Sequence, residues 1–134
     1  MNSTLLSDLA TELLTIPETI ANIQLETLLL NEKQQLLKAE ITVAEMKMKA
    51  KIADAVDENG KKLYSNADAR EAAFVQEKEA DLELHGMHKE EQKVHLDLQK
   101  KKIEYERACN TQRNVRSILS FFSANPGIEG ADLD

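Results

Sequence analysis

Tryptophan is absent from this 134-residue chain, and aromatics make up only 4% of it, so no large aromatic core can form. Leu, Ile, Ala and Met must supply the packing, which is the palette of helix against helix. Cys109 is the sole cysteine. An intrachain disulfide is thereby excluded, and a reducing, cytoplasmic setting is the expectation. Two prolines and four glycines leave few places to break a helix. No stretch approaches the roughly 20 apolar residues a bilayer span requires, so no membrane partner is expected. The opening Met1-Asn2-Ser3-Thr4 has no basic cluster, and Asp8 and Glu12 interrupt what would be a signal-peptide core.

Motifs for chemistry are also missing. There is no GxGxxG, no GxxxxGK[ST] and no Gly-Ser nucleophile elbow. His85, His88 and His95 share roughly one helix face, but neither His-Glu-x-x-His nor Glu-x-x-His accompanies them, and three histidines on one straight helix do not enclose an ion. The expectation is a non-enzymatic protein without metal or cofactor. A metal-binding helical bundle, with a second subunit completing the site, stands as a lower-ranked alternative.

Charge is abundant. Acidic residues number 24 against 17 basic ones, a formal net charge of -7, which opposes indiscriminate attraction to nucleic acid. A local basic stretch nevertheless runs through Lys100, Lys101, Lys102, Arg107, Arg113 and Arg116. Lys101, Lys102 and Arg113 are therefore candidate nucleic-acid contacts, although Glu104 and Glu106 interrupt the stretch and only Tyr105 offers an aromatic face.

Hydrophobic periodicity supplies the layout. Leu5, Leu6, Leu9, Leu13 and Leu14 predict a short helix over 3–14. Thr15-Ile16-Pro17-Glu18 then reads as a capping box starting a new helix near 16. Positions 23, 27, 30, 34, 37, 41, 44 and 48 form a three-four seam, interrupted by Thr27 and Gln34. Leu25, Leu29, Leu36 and Val43 make a second apolar line, so this helix needs more than one neighbour. The turn signal is Asn59-Gly60, suited to a type I′ turn, with Ala55-Val56 and Leu63-Tyr64 as tiny flanking strands. Ser65 or Asn66 is expected to cap the return helix, which should run to about 122 with seam positions 73, 77, 80, 84 and onward. Gly86 within it marks a weak point or a close helix approach. Pairing about the turn makes facing residue numbers sum to roughly 120.

The segment from Asp57 to Arg70, with its Asn59-Gly60 turn and Tyr64-Ser65-Asn66, resembles the joint of small uncharacterised helical-hairpin proteins encoded in phages and prophages. The resemblance implies a cytoplasmic accessory protein made during infection and carries no catalytic assignment.

The expected fold is all-α: a long antiparallel helical hairpin, coiled-coil-like, with a small β-turn or β-hairpin tip and a short N-terminal helix. Residues 1–124 would form the domain and 125–134 a flexible acidic tail, whose Ile128 and Leu133 are a candidate docking motif. The expected function is a protein-protein interaction module, itself a homo-oligomer, with Tyr64, Phe121 and Phe122 as candidate partner contacts. The first alternative is a DNA-associated replication or recombination accessory factor using the basic face.

Overall fold

The computed structural model describes residues 2–127; the candidate docking residues Ile128 and Leu133, and most of the 125–134 tail, lie outside them. Among the described residues the fold consists of three α-helices: α1 (Asn2–Asp54), α2 (Ala67–Ala80) and α3 (Leu82–Ala124). The chain divides into two compact units, Met1–Leu29 with Leu98–Asp134, and Leu30–Asp97.

In the first unit, the early part of α1 packs antiparallel to the later part of α3. Ile16, Ile23, Val115 and Phe122 are its buried residues, with Leu9, Leu13, Ile20 and Leu119 half-buried at the intervening turns. Glu26 of α1 and Glu104 of α3 both hold the Lys101 ammonium, and this double pairing raises the lysine's pKa, first through the hydrogen bond that Lys101 donates to Glu26. Thr27 occupies a seam position because its hydroxyl donates to the Ile23 carbonyl at 2.8 Å, leaving its methyl for packing.

The second unit joins the rest of α1 to α2 and the start of α3. Leu84 and Val94 are 2% and 1% exposed, and each contributes about 1.5–3 kcal/mol by burial. Ile41 is buried on the facing side of α1. Ile52, Ala73 and Phe74 form a cluster at the connector end, covered by Met48 and Tyr64. Lys49 and Lys78 place their ammonium groups 4.7 and 4.6 Å from the Phe74 ring centre, closing the cluster with cation–π contacts. Gln34 is satisfied on the seam by donating to Glu91 at 3.2 Å.

Three features correct the expected fold. First, the described residues hold no separate N-terminal helix: α1 runs unbroken through Pro17. Proline lacks an N–H and its ring crowds the preceding turn, yet Pro17 is exposed, where a loosened helical bond costs least. The Thr15 hydroxyl donates back to the Glu12 carbonyl at 3.0 Å and caps nothing.

Second, the return arm is two helices. Asp81 sits between them in an extended conformation, with φ -87° and ψ 100°. Its N–H donates to Lys78 O, ending α2, while its carboxylate accepts from Leu84 N at 3.0 Å and opens α3. The break shifts the seam from the expected 77 and 80 to Phe74, Lys78 and Asp81; Glu77 and Ala80 are exposed. Gly86 lies within α3, and a Cβ there would meet nothing within 4 Å, so no close approach explains it.

Third, no β-hairpin forms among the described residues. Pairing is confined to one antiparallel bridge, Val56 with Lys62. The Asp57 carboxylate takes the N–H groups of Asn59 and Lys61 at 2.9 and 3.0 Å, folding the chain locally before a ladder can extend. Gly60 has φ 77° and is the one described residue with positive φ, so the turn is not type I′, which needs two.

Side-chain contacts also run beyond the expected register. Lys33, Gln34 and Glu26 reach Glu90, Glu91 and Lys101, three to seven residues further along than a sum of 120 places them. Side chains on both antiparallel helices lean toward their own N-termini, so touching residues lie C-terminal to the backbone register.

Candidate functional site

The second apolar line of α1 remains uncovered. Within the second unit Leu36, Val43 and Met46 are 66%, 49% and 64% exposed, and Ala39 is exposed between them. These residues recur at steps of three and four, on the side of the helix turned away from Ile41 and Ala44. Exposed Glu40 and Lys47 line one edge of the stripe, seven residues apart. Among the described residues neither has an oppositely charged group within 4 Å.

Along that edge runs a shallow groove floored by Leu36, Val43, Ala44, Leu84 and Met87 and rimmed by Glu40, Lys47, Asp81 and Glu83. Asp81 therefore has two consequences: it starts α3, and it turns Leu84 inward beneath the groove. Sequence reasoning missed this break because neither glycine nor proline marks it. The usable signal was Phe74, the bulkiest apolar residue of α2, lying one position off the expected seam line.

The connector places its marked residues separately. Asn66 is the N-cap of α2, accepting from Ala69 N at 2.8 Å; Ser65 is exposed beside it. Tyr64 is half-buried against the Ile52–Phe74 cluster, and its carbonyl accepts from the Arg70 guanidinium at 3.3 Å. Asn59 and Gly60 are exposed at the turn. Tyr64 thus divides its ring between the cluster and solvent.

Phe121 and Phe122 divide their roles in the first unit. Phe122 is 6% exposed and packs edge-to-face with Phe121 at 5.5 Å between ring centres, while Phe121 remains 50% exposed. Of the basic candidates, Lys102 and Arg113 are exposed, whereas Lys101 is engaged by two carboxylates. Arg113 and Arg116 border a polar groove with Gln112, Ser117 and Ser120. Cys109 is half-buried beside Tyr105 and is the foremost cause of that phenol's raised pKa.

The histidines do not converge. His85 lies 2.9 Å from the Glu79 carbonyl, and His88 is 3.7 Å from Glu45. Among the described residues no group of three or more His, Cys, Asp or Glu could hold a metal ion. No described helix is long and apolar enough to cross a membrane.

No protein-family model matches the chain, and neither a curated protein nor a solved structure matches it.

Proposed function

We propose that this chain is a non-enzymatic helical interaction module whose working surface is the outward apolar face of α1. The observation that carries the reading is the exposure of Leu36, Val43 and Met46 in a regular three-four stripe on a helix whose other face is already packed. Single exposed leucines are ordinary, but a stripe at helical spacing is a surface prepared for another helix. Phe121 is a second contact candidate. The resemblance of residues 57–70 to the joint of phage and prophage proteins supports a cytoplasmic accessory role during infection.

The DNA-associated reading ranks lower, because Lys101 already has two acidic partners and so has less charge to offer phosphate. Affinity capture from host cells tests the choice. Partners, a second copy included, should be retained by the wild type and lost when Leu36 and Val43 are both replaced by Gln. Unchanged capture by that variant, or tight DNA binding that falls steeply with salt and depends on Lys102 and Arg113, would overturn the reading.

A further inference from the structure

We infer that the occupant of this face is a second copy of the chain, with α1 packed antiparallel on α1 of its partner about a two-fold axis that crosses the outward face at the level of Ala44. The inference rests on the interaction-module reading and adds the partner's identity. Its ground is the sign pattern on the edge of the stripe. Lys33, Glu40, Lys47 and Asp54 follow one another at seven-residue steps, so the edge alternates base and acid with every two turns of the helix.

A two-fold axis makes such an edge its own complement in some registers and its own opponent in others. With the axis at the level of Ala44, Glu40 of each copy faces Lys47 of the other, and Lys33, held within its own chain by Glu90, faces Asp54. Moving the axis to Glu40 would set Glu40 against itself and Lys33 against Lys47. Like charges therefore exclude that register, while unlike charges select the first.

Size agrees with the same register. Leu36 would meet Ala53, Ala39 would meet Ala50, and Val43 would meet Met46, so every layer across the axis is apolar. Only the layer nearest the axis sets two large side chains together, and the alanines on either side of it let the two helices approach without overpacking. An axis near Leu36 would also pair unlike charges, but it would bury Glu32 against Val43 twice, an uncompensated charge in an apolar layer. Three large side chains and three alanines per copy cover on the order of 900 Å² in total, at the weak end of specific interfaces. The dimer is accordingly a micromolar one, in equilibrium with monomer.

The test is sedimentation equilibrium of the full chain from about 1 to 500 μM at low salt. The wild type should dimerise; Glu40→Lys and Lys47→Glu should each weaken the dimer about tenfold, since two attractive pairs become two repulsive ones. The double variant Glu40→Lys/Lys47→Glu should return to within about threefold of wild type. All four positions of exchange are exposed, and circular dichroism verifies that each variant folds. In a Cys109→Ser background, Val43→Cys should form an intermolecular disulfide readily. Leu36→Cys should not, because its two copies lie about 25 Å apart along the axis at 1.5 Å per residue. A monomer over the whole range, single charge reversals without effect, a double variant that stays weak, or cross-linking through Leu36→Cys in place of Val43→Cys would each overturn the inference. A monomer that still captures other proteins through Leu36 and Val43 would overturn the second copy alone. One that captures nothing would remove the interaction-module reading with it.

Discussion

Replacing Asp81 by Ala should destabilise the second unit by about 1 kcal/mol, and the sign is informative. The carboxylate accepts from Leu84 N at 3.0 Å at the start of α3, and removing an N-cap oxygen costs about 0.5–2 kcal/mol. Alanine is the better helix former by about 0.7 kcal/mol, but that gain is realised only if position 81 turns helical. Fusing α2 with α3 would restore the uninterrupted seam through Glu77 and Ala80 and swing Phe74 away from Ile52 and Met48. Phe74 is 5% exposed, and uncovering it would forfeit about 2–3 kcal/mol, more than the propensity gain. The extended conformation at 81 therefore persists and the lost cap dominates. Urea unfolding followed by circular dichroism reads this directly: with a slope of about 1–3 kcal/mol/M, the midpoint should fall by about 0.3–1 M. Asp81→Asn keeps a capping oxygen and should shift the midpoint by less than half as much. An Asp81→Ala variant as stable as wild type, or more helical than it, would refute the account of the break; equal damage from Asn and Ala would refute the cap.

Gly60→Val should cost about 1–2 kcal/mol, because φ 77° disfavours a β-branched residue although no atom lies within 4 Å of its Cβ; Gly60→Asn should be milder, and thermal melts separate the two. Phe74→Ala should cost about 3–5 kcal/mol by urea unfolding, as the ring fills the Ile52 cluster and receives two lysines. The Lys33 hydrogen bond holds Glu90 below the usual glutamate pKa, so its contribution is present above that range and lost as pH falls through the lowered value. Acid unfolding should accordingly begin at a higher pH in wild type than the residual pH dependence of Glu90→Gln indicates, with the difference confined to the region below about pH 4.3. Lys101 has the opposite sign: its raised pKa gives stability below the ordinary lysine range that is lost as pH rises through the raised value, and Lys101→Met should flatten the alkaline limb above about pH 10.4.

The α1 seam was legible because an apolar residue every three or four positions leaves one choice of inward face. Ile23 and Ile41 are buried where the periodicity places them, and even Thr27 and Gln34 keep their seam places by finding a hydrogen-bond acceptor. The surplus line through Leu36 and Val43 was likewise readable, and it is the exposed face. Pro17 misled, since a single missing N–H on a solvent-facing turn does not outweigh the packing of Leu13, Ile16 and Ile20 on either side. The tip misled for a local reason: Asn59-Gly60 signals a two-residue hairpin, but the Asp57 carboxylate competes for the amides a ladder needs. Asp81 was hidden because aspartate is common on exposed helices, and only tertiary packing of Phe74 distinguishes a cap from a surface charge. Partner identity has no such local code; the charge alternation of Glu40 and Lys47 acquires meaning only once Ile41 and Ala44 are known to face the other way.

Hydroxyl-radical footprinting of the α1 face tests the central claim most directly. Leu36, Val43 and Met46 should be modified rapidly in dilute protein and become protected in the concentrated or partner-bound state, while Leu14, 81% exposed in the first unit, should keep its rate. Modification of Leu36, Val43 and Met46 at the dilute rate under every condition in which the protein assembles or binds would contradict the claim that this face is the working surface.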